Sequence, residues 1–292
     1  MASEARVGIM SPGDMGGGIG KVLHEHGIEV WTSLEGRSDL TRLRAEEAGF
    51  RDAGSLDRLV AETDLLLSVL VPAEARPLAE SVASAMQRTG ARPVFVECNA
   101  IAPQTVLEIE RLVRSSGADF IDAGIIGGPP RAGYSPHFHC SGPDTAILEG
   151  LRDHGLDIRV VGPKIGQASG LKMVYAASTK GTTALWTELL VASRALGLEG
   201  ALREELGEGA TARQQMNGIP NMPNRARRWV GEMEEIAATF AGLGMTPSIL
   251  EGAADMYRLV GETTLADLTT RDPRPSLDDV LSTLNEHLGT RD

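Results

Sequence analysis

The stretch Ser11-Pro12-Gly13-Asp14-Met15-Gly16-Gly17-Gly18 follows a short apolar run from Ala5 to Met10, and Met15, Ile19, Val22 and Leu23 then recur at helical spacing. A glycine-rich turn between a strand and a helix leaves backbone N–H groups at the positive end of that helix, which suits an anion such as a pyrophosphate. In the G-x-G-x-x-G pattern the first glycine permits the tight turn, the second admits the ligand close to the backbone, and the third lets helix and strand pack. Gly13 and Gly16 keep the last two roles. Ser11 stands at the first, where a negative φ makes a side chain tolerable and the hydroxyl offers a phosphate one more hydrogen bond. The expected contacts of a dinucleotide are therefore Ser11, Pro12, Gly13, Asp14, Met15 and Gly16. The next β-like run, Ile28 to Thr32, ends in Ser33-Leu34-Glu35-Gly36-Arg37-Ser38. An acidic residue usually receives the ribose hydroxyls there. Ser33 occupies that place, while Arg37 and Ser38 have the chemistry for a 2′-phosphate, so NADP is expected ahead of NAD, with Glu35 as the counter-argument.

The elements that position this loop alternate. Strands are expected at Leu65 to Leu70, Pro93 to Glu97, Asp119 to Asp122, His137 to Ser141 and Asp157 to Val161, with helical stretches between most of them. That rhythm implies a Rossmann-type, doubly wound α/β fold with a mostly parallel sheet covered on both faces. After Gly162-Pro163 no strand pattern remains, and Ala168 to Ala195, Ala226 to Leu243 and Ser276 to Leu288 read as helices. Two domains follow: residues 1–163 for the nucleotide, and an all-helical domain over 164–292, joined by a long inter-domain helix.

With 292 residues, 42% hydrophobic and 23% charged, the chain has the composition of a globular protein. Its formal charge of −12 argues against a nucleic-acid partner, which needs a basic face. No apolar run reaches membrane-spanning length, and residues 1–8 lack the order of a secretory leader, so a cytoplasmic protein is expected. Cys98 and Cys140 have no pairing or metal spacing and read as packed small residues. His137 and His139 alternate on a strand without a third ligand at useful spacing, so no metal is expected.

Taken in order, four blocks resemble the β-hydroxyacid dehydrogenase family, related to 6-phosphogluconate and 3-hydroxyisobutyrate dehydrogenases. They are the loop at 11–18, Val69-Leu70-Val71-Pro72, Asp122-Ala123-Gly124-Ile125-Ile126-Gly127-Gly128, and Gly166-Gln167-Ala168-Ser169-Gly170-Leu171-Lys172. The segment 225–236 resembles a subgroup whose helical domain has no assigned function. The resemblance implies that Lys172 is the general acid or base for the hydroxyl being oxidised, that Gly127 and Gly128 orient a substrate carboxylate, and that Val71 and Asn99 join the cofactor contacts. It also implies a homodimer and a small-molecule substrate, anionic in character, lying between the domains. Lys172 sits in an otherwise small, apolar helical stretch, where desolvation lowers an amine's proton affinity toward neutrality.

The chain departs from the family at three places. Ser11 replaces a glycine, Ile126 replaces a loop serine, and Ala176 replaces the asparagine that partners the lysine. Ser178 and Thr179 are substitute candidates, and Lys180, about 80° around an uninterrupted helix from Lys172, reads either as a second cation facing the same cleft or as an exposed charge. Arg225, Arg227 and Arg228 read either as an anion clamp or as a helix-start cluster paired with glutamates. The expected activity is hydride transfer between nicotinamide and a small hydroxy acid, with decarboxylation as an extension. An imine or keto reductase, or a cofactor-binding regulator without catalysis, are the alternatives.

Overall fold

The computed structural model describes residues 5–207, 209–269 and 271–289; part of the 1–8 stretch read for a leader lies outside them. Two compact units divide the chain, residues 1–173 and 174–292, with the division inside one helix.

In the first unit, β1 (Val7–Ile9), α1 (Asp14–Glu25), β2 (Val30–Thr32), α2 (Asp39–Glu47), β3 (Arg51–Asp52), α3 (Leu56–Glu62), β4 (Leu65–Ser68), α4 (Pro72–Thr89), β5 (Val94–Glu97), α5 (Pro103–Arg114) and β6 (Phe120–Ile126) alternate along the chain. β7 (His137–Ser141), α6 (Ala146–Glu149), β8 (Asp157–Gly162) and α7 (Gln167–Ala176) complete it. The eight strands form one sheet in the order β3-β2-β1-β4-β5-β6-β7-β8. Every pairing is parallel except β6–β7, which a loop connects without a crossover helix. One core, with Val7, Ile9, Ile121 and Phe138, lies on the α1 face, and a second, with Leu66, Phe95 and Phe120, lies under α3, α4 and α5. Burial on both faces is why these strands read as continuous apolar runs. Cys98 and Cys140 are buried thiols, as small packed residues should be.

The second unit holds α8 (Thr182–Ala195), α9 (Glu199–Leu206), α10 (Ala210–Gly218), α11 (Ala226–Gly242), α12 (Ser248–Gly261) and α13 (Leu277–Gly289). The uninterrupted helix expected over 168–195 is corrected here. A π-helical turn at Ala177–Gly181 separates α7 from α8, inserting an extra residue into the ladder. The straight-helix angle between Lys172 and Lys180 therefore does not apply.

Candidate active site

The glycine loop keeps the shape needed for a dinucleotide. Among the described residues no non-glycine residue has positive φ, so Ser11 takes the turn glycine's place without strain. Gly16 is obligatory, because a Cβ there would overlap the Ser11 carbonyl oxygen, whereas a Cβ at Gly13 would project into open space. Gly13 caps the twelve-residue α1, and no side chain caps its first-turn amides. Open space above a glycine and uncapped amides at a helix N-terminus fit a pyrophosphate. Pro12 is buried, Met15 half-buried, and Asp14 turns outward to pair with Arg44 at 2.9 Å.

At the end of β2 a half-buried Ser33 stands in the acidic place. Arg37 donates to the Met10 carbonyl at 3.1 Å, tying this loop to the end of β1, and Arg42 donates to the Leu34 carbonyl at 2.6 Å. Ser38 N-caps α2, its hydroxyl accepting from the Thr41 amide. Val71, half-exposed, is the N-cap of α4 with Pro72 behind it. Asn99 is only 2% exposed; its side chain accepts from the Leu70 amide and donates to the Ser68 hydroxyl at 2.9 Å, bracing the ends of β4 and β5.

Lys172 is carried by α7, which lies over β6. A Cβ built on Gly124 would stand 2.8 Å from the Ala168 carbonyl oxygen and 3.0 Å from Lys172 Cβ, so glycine at 124 lets the helix sit against the strand. The start of α7 is fixed by Asp122, a residue that sequence reasoning placed in a block without giving it a task. Its carboxylate accepts from the Gly166, Ala168 and Ser169 amides at 2.9, 3.1 and 3.1 Å, from the Ser141 hydroxyl at 2.9 Å, and from the Ser169 hydroxyl. Burial raises its proton affinity, and these donors oppose the rise. Beside it in register, the fully buried Glu97 is pushed up to about 8 by burial, against hydrogen bonds from Asn99 and Ser68 and with the Asp122 charge adding to the rise. The Cys98 thiol is raised by burial first and then by the Glu97 and Asp122 carboxyls, with Lys172 opposing the rise.

Past β6, Gly127 has φ +132° and Gly128 donates its amide to the Tyr134 hydroxyl at 3.2 Å, a contact the sequence did not announce. Across the β6–β7 ladder Gly124 faces His139, whose proton affinity burial lowers, with His137 and Arg159 adding to the effect.

In the second unit, Lys180 is bonded to Glu232, whose other oxygen receives Arg228 at 3.3 Å, and its ammonium lies 5.4 Å from the Trp229 ring centre. Its charge is thus matched locally. Ser178 donates to the Tyr175 carbonyl at 2.7 Å. Arg227 is spent on Gly261 and Asp267, at 2.9 and 2.8 Å, which favours the helix-start reading of that cluster for this residue.

Residues 6–151 match the NAD binding domain of 6-phosphogluconate dehydrogenase, and 193–260 match a domain of unknown function, DUF1932. A conserved protein of unknown function, whose solved structure shows similarity with 3-hydroxyacid dehydrogenases, is 31% identical, covering 88% of this chain and 99% of its own at a TM-score of 0.67. The Mycobacterium tuberculosis 3-hydroxyisobutyrate dehydrogenase solved with L-serine shares the fold at 20% identity, with 96% and 99% coverage and a TM-score of 0.71. The Aspergillus terreus reductive aminase, solved with NADPH and ethyl-5-oxohexanoate, does so at 19%, 98% and 100%, with a TM-score of 0.54. The chain belongs to the β-hydroxyacid dehydrogenase family of NAD(P)-dependent oxidoreductases.

Proposed function

We propose that the protein is an NADP-preferring dehydrogenase of small hydroxy acids in which Lys172 exchanges the hydroxyl proton. The observation carrying this reading is the packing of α7 on β6, with Lys172 Cβ against Gly124 and the helix start held by Asp122, on the strand that runs into Gly127 and Gly128. Ser11, Pro12, Gly13, Asp14, Met15 and Gly16 would hold the dinucleotide, with Val71 beside them and Asn99 shaping the loop. Ser33, Arg37 and Ser38, with the added guanidinium of Arg42 and no carboxylate at 33, favour a 2′-phosphate. When bound, the nicotinamide supplies the hydride acceptor. Lys172 takes the alcohol proton during oxidation and returns it during reduction, while the Gly127–Gly128 loop receives the carboxylate. Decarboxylation follows where the product is a β-keto acid.

We read the protein as a cytoplasmic homodimer. Exposed Leu185, Leu243, Met245 and Ile249 in the second unit support association, and no described helix is long and apolar enough to cross a membrane.

NADPH absorbance, followed against 2- and 3-hydroxy acids, the matching keto acids and cyclic imines, tests the reading. Lys172→Ala should lower kcat about a hundredfold or more, with cofactor affinity nearly intact. The only lysines are Lys21, Lys164, Lys172 and Lys180, so labelled-lysine NMR can follow the titration of Lys172 directly. Unchanged turnover in the variant sinks the mechanism.

A further inference from the structure

The loop from β6 to β7 reads Gly127-Gly128-Pro129-Pro130-Arg131-Ala132-Gly133-Tyr134, and the side chains of Arg131 and Tyr134 have no task in the chemistry proposed above. Arg131 and Tyr134 are locked together. The Arg131 amide donates to the Tyr134 carbonyl at 3.0 Å and the Tyr134 amide to the Arg131 carbonyl at 2.8 Å, while the guanidinium carbon lies 5.1 Å from the tyrosine ring centre. The phenol oxygen in turn accepts the Gly128 amide at 3.2 Å, and a Cβ at Gly127 would overlap that oxygen. The loop is also pinned to α1, since a Cβ at Gly18 would stand 3.1 Å from the Pro130 carbonyl oxygen and Pro130 is buried. The pair is thus fixed relative to both the glycine loop and the end of β6.

These contacts leave specific chemistry available. A phenol that accepts an amide proton still has its own proton to donate, and accepting strengthens that donor. Ile126 removes the serine hydroxyl that the family loop carries; Tyr134 returns a hydroxyl to the same two glycines from further along the chain. Arg131 rests on an aromatic face and makes no ion pair among the described residues, although the chain carries a formal charge of −12. A planar guanidinium beside a hydroxyl donor matches the two oxygens of a carboxylate.

We propose that Arg131 and Tyr134 form an anion-recognition pair that receives the substrate's carboxylate beside Gly127 and Gly128 and gives the protein its preference for acids. This rests on the reading of that loop as the substrate side of the site. Dinucleotide phosphates offer the same oxygen chemistry, and the experiment separates the two sources.

The full chain loaded with NADPH, a pairing in which a hydroxy acid cannot turn over, is titrated calorimetrically with the hydroxy acids of the panel and with their methyl esters, and NADPH affinity is measured separately. The wild type should bind acids at least about tenfold more tightly than esters. Arg131→Gln should weaken acids about tenfold, and Tyr134→Phe about fivefold, with esters and NADPH within about twofold of wild type in both. Lys172→Ala should keep the acid preference, so a failed proton-transfer role and a failed anion pair give different results. Acid preference surviving both loop variants, a wild type that treats acids and esters alike, or an equal loss of NADPH affinity in Arg131→Gln each overturns the proposal.

Discussion

Asp122 carries more of the site's geometry than its position in a strand suggests. Three amides at the start of α7 and two hydroxyls converge on one carboxylate, so removing it strands several buried donors at once. Asp122→Ala should cost on the order of 3 kcal/mol in urea denaturation, with faster amide exchange at Gly166, Ala168 and Ser169. Asp122→Asn keeps an accepting oxygen and can donate to the Ser169 hydroxyl, so it should cost about 1 kcal/mol. Equal losses in the two variants would show that charge alone matters. At this scale the sequence revealed residue types but not their partners. Lys172 and the glycines were legible from their blocks, whereas Tyr134 on Gly128 and Glu232 on Lys180 join residues whose meeting depends on loop closure and helix packing.

Between Gln167 and Ala195 the backbone answers to a contact made from far along the chain. The hydroxyl of the fully buried Tyr257, on α12, donates to the Lys180 carbonyl at 2.6 Å, satisfying an acceptor within the π-turn. Tyr257→Phe should therefore lower stability by about 1–2 kcal/mol, read from the urea midpoint, and leave NADPH affinity unchanged; no loss would mean that the turn holds itself. Ser178, Thr179 and Gly181 are weak helix formers within the turn, yet local propensity does not distinguish a π-turn from an ordinary helical one. The parallel strands were legible as apolar runs bounded by glycine and proline. β3 was not, since Arg51 and Asp52 are exposed polar residues that become a strand only by pairing with β2. The Asp119 to Asp122 expectation fell short of the observed Phe120–Ile126 for a related reason: β7 pairs with it antiparallel as far as Ile126, and that partner lies beyond a loop.

For the whole molecule, the buried Glu97 couples the interior of the sheet to pH. Its carboxyl rises from the ordinary 4.5 to about 8, first because burial penalises the charge and then because Asp122 stands beside it. The folded chain therefore holds a proton between about 4.5 and 8 that the unfolded chain releases. Stability contributed by this group is full below 4.5, falls by about 1.4 kcal/mol per pH unit across that window at most, and levels off above 8. Asp122, also raised, adds a slope of the same sign. Glu97→Gln keeps the neutral form's shape and cannot ionise. Urea midpoints at pH 5, 6.5, 8 and 9 should fall steeply for the wild type and less for the variant, which should be the more stable of the two at pH 9. Parallel curves would place the titrating group elsewhere. An interior acid kept neutral by the sheet also spares the buried Cys98 thiol a second neighbouring anion beside Asp122.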